Sequence, residues 1–420
     1  MSSVVLRLAI KSLRFRKFSV SLTVFSVAIS ILLFLAVDTI RVQAKDNFVN
    51  TVSGIDLIVG SRSGSVQLLL YSIFHIGNAT NNVSWDSYQK ITKHSSIDWS
   101  IPISLGDSHK GFRVIGTNEN FLNHYQYKNN RNLSLISGKK FSNLFDAVIG
   151  SNVAKKLNYT LNEEIILAHG MGNVSLTNHT NMPFTISGIL ESTGSPIDDS
   201  IIIDLKALEA IHIGWEHGIA SKPGLSAEDI DSYSLQPKSI TAFLIKLKSK
   251  HDVFNIQRAI NDYRKEPLLA ILPGVALLEL WKVVGTIEKV LIIISGFVIV
   301  TALLSMLAII LTNLSSRRRE LAVLRSVGAS PLRISLLMII ETELLIIFSM
   351  ILAIGMLYLS IIVFAPILHQ SYGIAITLTP LSSFQWLLLA SILIAGLVIS
   401  LIPAFNAYRN TLQDGLTIRS

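Results

Sequence analysis

The residues of this chain that could do chemistry are first of all its histidines, because imidazole is a common metal ligand and titrates near neutral pH. The histidines are His75, His94, His109, His124, His169, His179, His212, His217, His251 and His369. No HxH or HExxH spacing occurs, and Glu216-His217 has no following partner at helical spacing. Because no spacing assembles a ligand set, we interpret these residues as scattered surface histidines and predict no metal site.

Nucleophilic catalysis has no clear signature either. The absence of cysteine excludes disulfides, thiolate zinc sites, Fe–S clusters and cysteine nucleophiles. Ser200, Asp199 and His169 could supply a hydrolytic set, but no G-x-S-x-G elbow surrounds a serine. The stretch 60–65, GSRSGS, lacks the GK[ST] ending of a phosphate-binding loop and is interpreted as a flexible loop. A membrane-anchored hydrolase with no identified catalytic residue is therefore the weaker alternative.

The segments that carry these residues lie between long apolar runs, which predict membrane spans. Half of the residues are hydrophobic and only 15% are charged, against about 25% in soluble domains. A bilayer span takes about 20 mostly apolar residues, and four apolar runs are long enough: 18–37, 290–314, 334–367 and 384–402. The first run also resembles a signal peptide, but it exceeds the roughly 7–15 residues of a signal core. We therefore predict four retained spans.

The formal net charge of +8 is distributed unevenly along the chain. Residues 1–37 hold five basic residues and no acid, and residues 38–286 hold 23 basic and 23 acidic residues. The connector 315–333 holds five arginines against Glu320. Because positive charge in short loops marks the cytoplasmic side, we predict that both termini and this connector are cytoplasmic and that 38–286 and 368–383 lie outside. The basic balance is thus a topology signal, and we predict no nucleic-acid partner.

The segment 38–286 has the mixed pattern of an α+β domain. Short β-like runs bounded by turn residues are predicted as strands at Ile55–Val59, Phe112–Ile115, Ala147–Ile149, Phe184–Ile189, Ile201–Ile203 and Phe243–Leu247. Helix-like stretches lie between them at Trp85–His94, Ser151–Leu157, Leu205–Ile211 and Val253–Arg264.

A shorter apolar run, Val66–Ile76, cannot span a bilayer. Two interpretations stay open, and the first is favoured. The run is either a buried helix or an exposed surface that touches the membrane, a substrate or a partner. A possible outer substrate or partner surface would consist of Leu68, Leu69, Leu70, Tyr71 and Phe74.

Residues 317–330, RRRELAVLRSVGAS, resemble the cytoplasmic signature R-x-x-E-[IL]-[AG]-[IVL]-[LM]-[RK]-[AS]-[LIV]-G-A of the MacB/FtsX-like ABC transporter permeases. The signature follows the second span, as it does in that family. Stretches 137–157 and 184–190 are similar to the family's "G-x-x-F … V-x-G-x-x-x-A-x-x-L" and "f-x-V-x-G-i-l" patterns. After the fourth span, Pro403–Arg409 fits the family pattern, but Leu412-Gln413 replaces its acidic-Pro pair.

The resemblance implies the mechanotransmission (type VII) architecture of the lipoprotein-releasing and macrolide-export permeases. This is four transmembrane α-helices plus a large α+β extracytoplasmic domain between helices 1 and 2. The predicted boundaries are an amphipathic cytoplasmic helix at 1–17, spans at 18–37, 287–314 with its stalk, 334–367 and 384–403, a periplasmic core-like domain at 38–286, a cytoplasmic coupling element at 315–333, an outer loop at 368–383 and a cytoplasmic tail at 404–420.

The resemblance also implies partners. We expect a multi-pass protein of the cell inner (cytoplasmic) membrane. It would form a homodimer, or a heterodimer with a second permease, and bind two copies of a separate ABC ATPase. Neither a G-x-x-x-x-G-K-[ST] loop nor an LSGGQ-like motif occurs, so this chain is not expected to be an enzyme or to hold a cofactor. ATP and Mg²⁺ would be bound by the partner ATPase. Membrane lipids and a periplasmic protein are further expected partners.

Coupling to the ATPase is expected at an amphipathic helix in the connector, where three- and four-residue spacing places Arg317, Glu320 and Leu324 on one side. Gly328 to Pro331 should end this helix and begin the third span. The predicted coupling residues are Arg317, Arg319, Glu320, Leu321, Leu324, Arg325, Gly328 and Ala329. A basic cluster that only sets topology and touches anionic lipid is the alternative.

The function implied is a permease subunit that couples ATP hydrolysis in its partner to movements of the outer domain. The work would be the export or extraction of a lipoprotein, a peptide or another envelope substrate. The alternative within the same family is a non-transporting, FtsX-like regulator of an envelope enzyme.

Overall fold

The computed structural model describes residues 2–51, 53–128, 130–170, 179, 181–213, 215–216, 219–220, 233–316, 323–372 and 376–413. Its α-helices are α1 (Ser2–Phe15), α2 (Lys17–Thr51), α3 (Ser65–Ile73), α4 (Trp85–Thr92), α5 (Glu119–His124), α6 (Ser151–Leu157), α7 (Leu205–His212), α8 (Val253–Asn261), α9 (Pro273–Ser316), α10 (Pro331–Tyr372) and α11 (Ser383–Gln413). Short 3₁₀ helices occur at Pro196–Asp199 and Lys250–Asp252.

The strands lie between α2 and α9. They are β1 (Leu57–Ser61), β2 (Val83–Ser84), β3 (Ile97–His109), β4 (Phe112–Thr117), β5 (Gln126–Tyr127), β6 (Arg131–Asn132), β7 (Leu135–Gly138), β8 (Asp146–Ile149), β9 (Glu164–Ile165), β10 (Ala168–His169), β11 (Phe184–Leu190), β12 (Ser200–Asp204), β13 (Trp215–Glu216), β14 (Ile219–Ala220), β15 (Ser239–Ile240), β16 (Ala242–Leu247) and β17 (Leu268–Ile271).

Among the described residues, four helices are long and apolar enough to cross a membrane, which confirms the predicted number of spans. The candidate spans are Lys17–Asp46, Pro273–Thr312, Pro331–Ile367 and Ser383–Arg409. The mixed α+β domain lies between the first and second of them, so the predicted fold class is also confirmed. Helices α2 and α9 both extend beyond the apolar runs that predicted them.

The chain divides into two compact units. The helical unit contains residues 1–43, 285–365 and 376–420, and the α/β unit contains residues 44–284 and 366–375. Each unit has its own apolar core.

The α/β unit is built on a mixed sheet with the order β17-β1-β16-β3-β4-β12-β8-β11-β7, to which β10 adds beside β3 and β9 beside β11. Most neighbours are antiparallel, but β4 with β12 and β8 with β11 run parallel. Each of the six predicted β-like runs overlaps a strand of this sheet, and each of the four predicted helix-like stretches overlaps a helix. Some boundaries differ, since β1 begins at Leu57 and α8 ends at Asn261. The long strand β3 was not predicted.

Side chains alternate between two apolar layers, one on each face of the sheet, as strand geometry requires. Leu57 and Val59 of β1 pack on one face together with helices α4, α6, α7 and α8. Ile58 of the same strand packs on the other face with α3, α5 and the first turns of α9. Because both faces are covered by helices, strand interiors such as Ile201–Ile203 are almost continuously apolar.

The helical unit packs α2, α9, α10 and α11 around a core of apolar residues, among them Leu35, Met306, Ile346 and Leu389. Helices α10 and α11 approach closely at Gly396, where an added Cβ would collide with the side chain of Ile346. Small residues permit such close contacts between membrane helices.

Candidate functional site

The predicted coupling residues fall partly within the described chain. Arg317, Arg319, Glu320 and Leu321 lie outside the described residues. Leu324, Arg325, Gly328 and Ala329 lie inside them, where residues 323–326 form a short helical turn directly before α10.

This helical turn ends in a Schellman motif centred on Gly328. The Ala329 N–H donates to the Leu324 carbonyl at 3.0 Å, and the Gly328 N–H donates to the Arg325 carbonyl at 2.8 Å. Gly328 has φ +95°, a left-handed conformation that glycine adopts most readily. Helix α10 then begins at Pro331, whose fixed φ suits the first helical position. The prediction that Gly328 to Pro331 stops one helix and starts the next is confirmed.

The turn packs against a small apolar cluster, which we call the Ala9 cluster. It contains Ala9 of α1, Ile334, Leu337 and Met338 of α10, and Ala404 and Ala407 of α11, with Leu324 and Ala329 packed against it. Leu324 and Ala329 of the Schellman motif therefore pack against a cluster to which three helices contribute, while Val327 is 83% exposed. This arrangement fixes one side of the turn, and among the described residues none covers Val327 on the other side.

Sequence reasoning missed a set of polar contacts made by α2. Arg41 Nε lies 3.1 Å from Glu288 Oε2 of α9, and Arg41 NH1 lies 3.3 Å from Asp38 Oδ1. Gln43 forms two hydrogen bonds with the Thr377 backbone, accepting from its N–H at 2.7 Å and donating to its carbonyl at 2.8 Å. Charged residues directly after the apolar run of α2 were the available signal, since such residues rarely stay unpaired.

The proposed outer surface at 68–74 is corrected by the structure. Leu68 and Leu69 have no exposed surface, Tyr71 is 1% exposed and Phe74 is 6% exposed. Leu70 is only partly buried. Helix α3 packs these side chains into the core beneath β1, so the favoured alternative, a buried helix, is confirmed and the four buried side chains are not available to a partner.

The hydrolytic set considered from sequence is not brought together. Ser200 Oγ donates to the Pro196 carbonyl and lies 3.2 Å from His75 Nδ1, and its residue is 1% exposed. Asp199 instead pairs with Lys156 at 3.1 Å. His169 belongs to a different group of side chains.

Three histidines that the sequence left scattered meet in the α/β unit, and that interpretation is wrong for them. The side chains of Asp107, His169, His179 and His212 each offer a ligand atom, and these atoms all lie within 4.8 Å of one another. We call them the histidine cluster. No residue spacing could reveal it, because its members come from β3, β10, the segment before β11 and the end of α7.

The backbone positions each member of the histidine cluster. His169 stands opposite Asp107 in the antiparallel pairing of β10 with β3, and His169 Nδ1 lies 2.9 Å from Asp107 Oδ1. His179 is held by two backbone hydrogen bonds, its N–H donating to Leu167 at 3.0 Å and its carbonyl accepting from Met182 at 3.2 Å. The last residue of α7, His212, has Nε2 at 3.2 Å from His169 Nδ1 and 3.4 Å from Asp107 Oδ2.

Electrostatics within the cluster are strong because Asp107 is only 1% exposed. Burial alone would raise the pKa of Asp107, but hydrogen bonds and charge from His169 and His212 outweigh it and hold that pKa well below its ordinary value. Burial acts to lower the pKa of His212, yet the hydrogen bond and charge of Asp107 raise it overall. Burial and the neighbouring His212 lower the pKa of His179 to about 4, which keeps its imidazole neutral at pH 7.

Comparison with known proteins gives two family matches. Residues 20–263 match the MacB-like periplasmic core domain, and residues 292–412 match the FtsX-like permease C-terminal domain. No curated protein sequence matches the chain.

Solved structures add two similar domains. One is the extracellular domain of the noncanonical ABC-type transporter YknZ from Gram-positive bacteria, at 12% identity, covering 52% of this chain and 98% of its own, with a TM-score of 0.30. The other is the periplasmic region of MacB from Actinobacillus actinomycetemcomitans, at 10% identity, covering 56% of this chain and 97% of its own, with a TM-score of 0.33.

Proposed function

Because the chain belongs to the family of MacB/FtsX-like ABC transporter permeases, we propose that it couples ATP hydrolysis in separate ATPase subunits to movements of its α/β unit. The observation that carries this proposal is the tandem of family matches, which together span residues 20–263 and 292–412. The protein is a multi-pass membrane protein whose α/β unit lies outside the membrane.

Orientation follows from charge. The basic residues of 1–37 and of the 315–333 connector place these segments on the cytoplasmic side of the inner membrane in our proposal, and the charge-balanced segment 38–286 then lies outside. The connector is therefore, together with the two termini, a part of the chain that an ATPase can reach.

Coupling at the connector is supported by how the described part of it is built. Gly328 ends the helical turn abruptly, and the Ala9 cluster joins Leu324 and Ala329 to helices α1, α10 and α11. A displacement of this turn by an ATPase would be passed to those three helices, because close-packed side chains transmit movement rather than absorb it. A cluster of arginines that contacts only lipid would not need this apolar anchoring.

Helix α9 supplies the path from the helical unit to the α/β unit. It is 44 residues long without interruption. Its residues Ala276 and Leu277 belong to the core of the α/β unit, and Leu303 and Met306 belong to the core of the helical unit. One continuous helix that is anchored in both cores is suited to carry force from the connector to the outer domain.

The interior of the helical unit supports the proposal that the cargo is moved outside the bilayer core. Buried hydroxyls among the described residues donate to carbonyls of their own helices instead of lining a polar path, as Thr23 does to Ser19, Ser295 to Leu291 and Ser349 to Leu345. The acids Glu341 and Glu343 lie only about three helical turns from the start of α10. We propose that the cargo is a lipoprotein, a peptide or another envelope molecule handled by the α/β unit.

The test is a coupling assay. The full-length permease, purified from native membranes with the ABC ATPase that accompanies it and reconstituted in nanodiscs, should stimulate ATP hydrolysis. Glu320→Lys should leave the permease in the membrane and abolish the stimulation. Glu164→Lys makes the same charge change at an exposed position of the α/β unit and should preserve it.

Equal stimulation by wild type and Glu320→Lys would overturn the assignment of the connector. A permease that purifies without any ABC ATPase would overturn the proposed function itself. A complex that retains coupling but moves no cargo would contradict transport and identify a regulator of an envelope enzyme.

A further inference from the structure

The histidine cluster is separate from the proposed coupling element, and its geometry already approaches that of a metal site. In a tetrahedral zinc site with ligand bonds near 2.0 Å, neighbouring ligand atoms lie about 3.3 Å apart. Two separations of this size are 2.9 Å from His169 Nδ1 to Asp107 Oδ1 and 3.2 Å from His169 Nδ1 to His212 Nε2. His212 Nε2 also lies 3.4 Å from the other carboxylate oxygen of Asp107, Oδ2. The ligand atom of His179 completes the set within 4.8 Å of the others.

The tautomer of His212 supports a cation at this position. Its Nδ1 lies 2.7 Å from the Leu208 carbonyl, which can only accept, so Nδ1 carries the hydrogen. Nε2 of the neutral ring therefore presents a lone pair, and it lies 3.4 Å from a carboxylate oxygen of Asp107. Two electron-rich atoms at this distance repel each other unless a proton or a metal ion lies at the site. In a metal-binding histidine, one ring nitrogen binds the metal and the other usually donates a hydrogen bond to a group such as a backbone carbonyl.

We propose that Asp107, His169, His179 and His212 bind one zinc ion. Three imidazoles and one carboxylate are the nitrogen and oxygen donors that Zn²⁺ accepts, whereas Mg²⁺ and Ca²⁺ prefer oxygen ligands alone. Four protein ligands fill a tetrahedral site, so the ion would be held structurally and not left open for catalysis.

The site is buried on one side and accessible on the other. Asp107 and His179 are 1% and 4% exposed, while the His169 side chain is 52% exposed. An ion can therefore enter from solvent past His169 and His212 without opening the core. Once bound, the ion would link the pairing of β3 with β10 at Asp107 and His169 to the end of α7 and to the segment at His179. No disulfide can join these three parts of the unit, because the chain has no cysteine.

The experiment measures zinc in the full-length protein, purified in detergent with a tag that contains no histidine. After EDTA treatment and dialysis against Zn²⁺, mass spectrometry of the metal should find about one zinc ion per chain. X-ray absorption at the zinc edge should show nitrogen and oxygen neighbours at about 2.0 Å with imidazole scattering. Zinc should also raise the thermal unfolding midpoint, because it binds the folded state.

Two variants and a matched control test the assignment. His169→Gln and His212→Gln should weaken zinc binding, measured by competition with a fluorescent chelator, by at least about 100-fold. His251→Gln removes an exposed histidine of the same unit and should bind zinc as the wild type does. Unfolding midpoints of all four proteins in EDTA show whether a variant is folded. Of the two variants, His169→Gln is the less prone to a folding defect, because the His169 side chain lies at the surface.

Wild-type protein that binds no zinc after repletion would overturn the proposal and leave a protonated His212 as the cation of the cluster. Zinc bound equally by the wild type and by His169→Gln and His212→Gln would overturn it as well. Neither result depends on the ATPase, so failure of this proposal and failure of the proposed function are distinguishable.

Discussion

Arg41 of α2 pairs with Glu288 of α9 across the helical unit, with 3.1 Å between Nε and Oε2, and the same guanidinium reaches Asp38 at 3.3 Å. The three residues differ in exposure. The side chain of Asp38 is 2% exposed, that of Glu288 20% and that of Arg41 37%. The Arg41 guanidinium therefore forms ion pairs with the buried carboxylate of Asp38 and with the partly exposed carboxylate of Glu288.

This arrangement predicts an asymmetry between two substitutions. Glu288→Gln should cost about 0.5–1 kcal/mol, as a partly exposed ion pair does. Arg41→Gln should cost more, because it also removes the cation beside the buried Asp38. Thermal unfolding of the purified full-length protein measures both, with Lys45→Gln, an exposed residue of the same helix, as the control. A larger loss for Glu288→Gln than for Arg41→Gln would contradict this account.

The left-handed conformation of Gly328 predicts a graded effect of substitution. Apart from its chain neighbours, no atom of the described residues lies within 4 Å of an added Cβ, so the cost comes from the backbone at φ +95° and not from crowding. Gly328→Val should cost about 1–3 kcal/mol and reduce ATPase stimulation, while Gly328→Asn should cost less, because asparagine tolerates this region.

Gly355→Ala is the matched control for this series. Gly355 lies inside α10, and its φ is not positive. Apart from the backbone of its own helix, an added Cβ again meets no atom of the described residues within 4 Å. Alanine should be neutral or stabilising there by about 0.5–1 kcal/mol. Equal effects of Gly328→Val and Gly328→Asn on unfolding and on ATP hydrolysis would show that the turn does not depend on this conformation.

Burial of α3 predicts which of its apolar residues matter for stability. Leu68→Ala should destabilise the protein by about 2–5 kcal/mol, because it removes a fully buried side chain and leaves a cavity. Ile76, just beyond α3, is 57% exposed, and Ile76→Ala should have little effect. Unfolding midpoints and detergent-extracted yield measure both. If Leu68→Ala unfolded at the same midpoint as the wild type, the burial of α3 would be contradicted and the interpretation as an exposed surface would be favoured.

Asp146, which begins β8, predicts a pH-dependent contribution to stability. Burial acts to raise the pKa of its carboxyl, but hydrogen bonds from the backbone and side chains of Asn143 and Ser142 outweigh it and lower that pKa. The hydrogen bonds to Oδ2 measure 2.8–2.9 Å. A carboxyl whose pKa is lower in the folded state stabilises fully above its unfolded pKa, and this contribution is lost as pH falls through the folded value.

The difference in unfolding midpoint between wild type and Asp146→Asn should therefore be larger at pH 6 than near pH 3, since the unfolded carboxyl titrates at about pH 4. Asp98→Asn, which changes an exposed aspartate of β3, is the control and should shift the midpoint little at either pH. A gap between wild type and Asp146→Asn that widens on acidification has the opposite sign and would refute the argument.

Much of the fold could be predicted because its signals are local. The length of an apolar run is set by the thickness of the bilayer, and four such runs identified four spans. Apolar β-like runs identified β8, β11 and β12, and the Gly328 to Pro331 sequence identified a helix stop that the backbone hydrogen bonds confirm. The missed strand β3 contains Pro102 and Gly106, residues that are typical of turns, and only its pairing with β16, β4 and β10 keeps it extended.

What only the tertiary structure decided is which distant side chains meet. Asp107 and His169 are 62 residues apart, and His169 and His212 are 43 apart, so no sequence spacing records their contact. The pairing of β10 with β3 and the position of α7 on the sheet bring them within hydrogen-bonding distance. The sequence by itself determined the membrane spans, the local elements and the family signature, because these depend on neighbours along the chain. The histidine cluster depends on sheet pairing between strands far apart in sequence, and that is decided by packing of the whole unit.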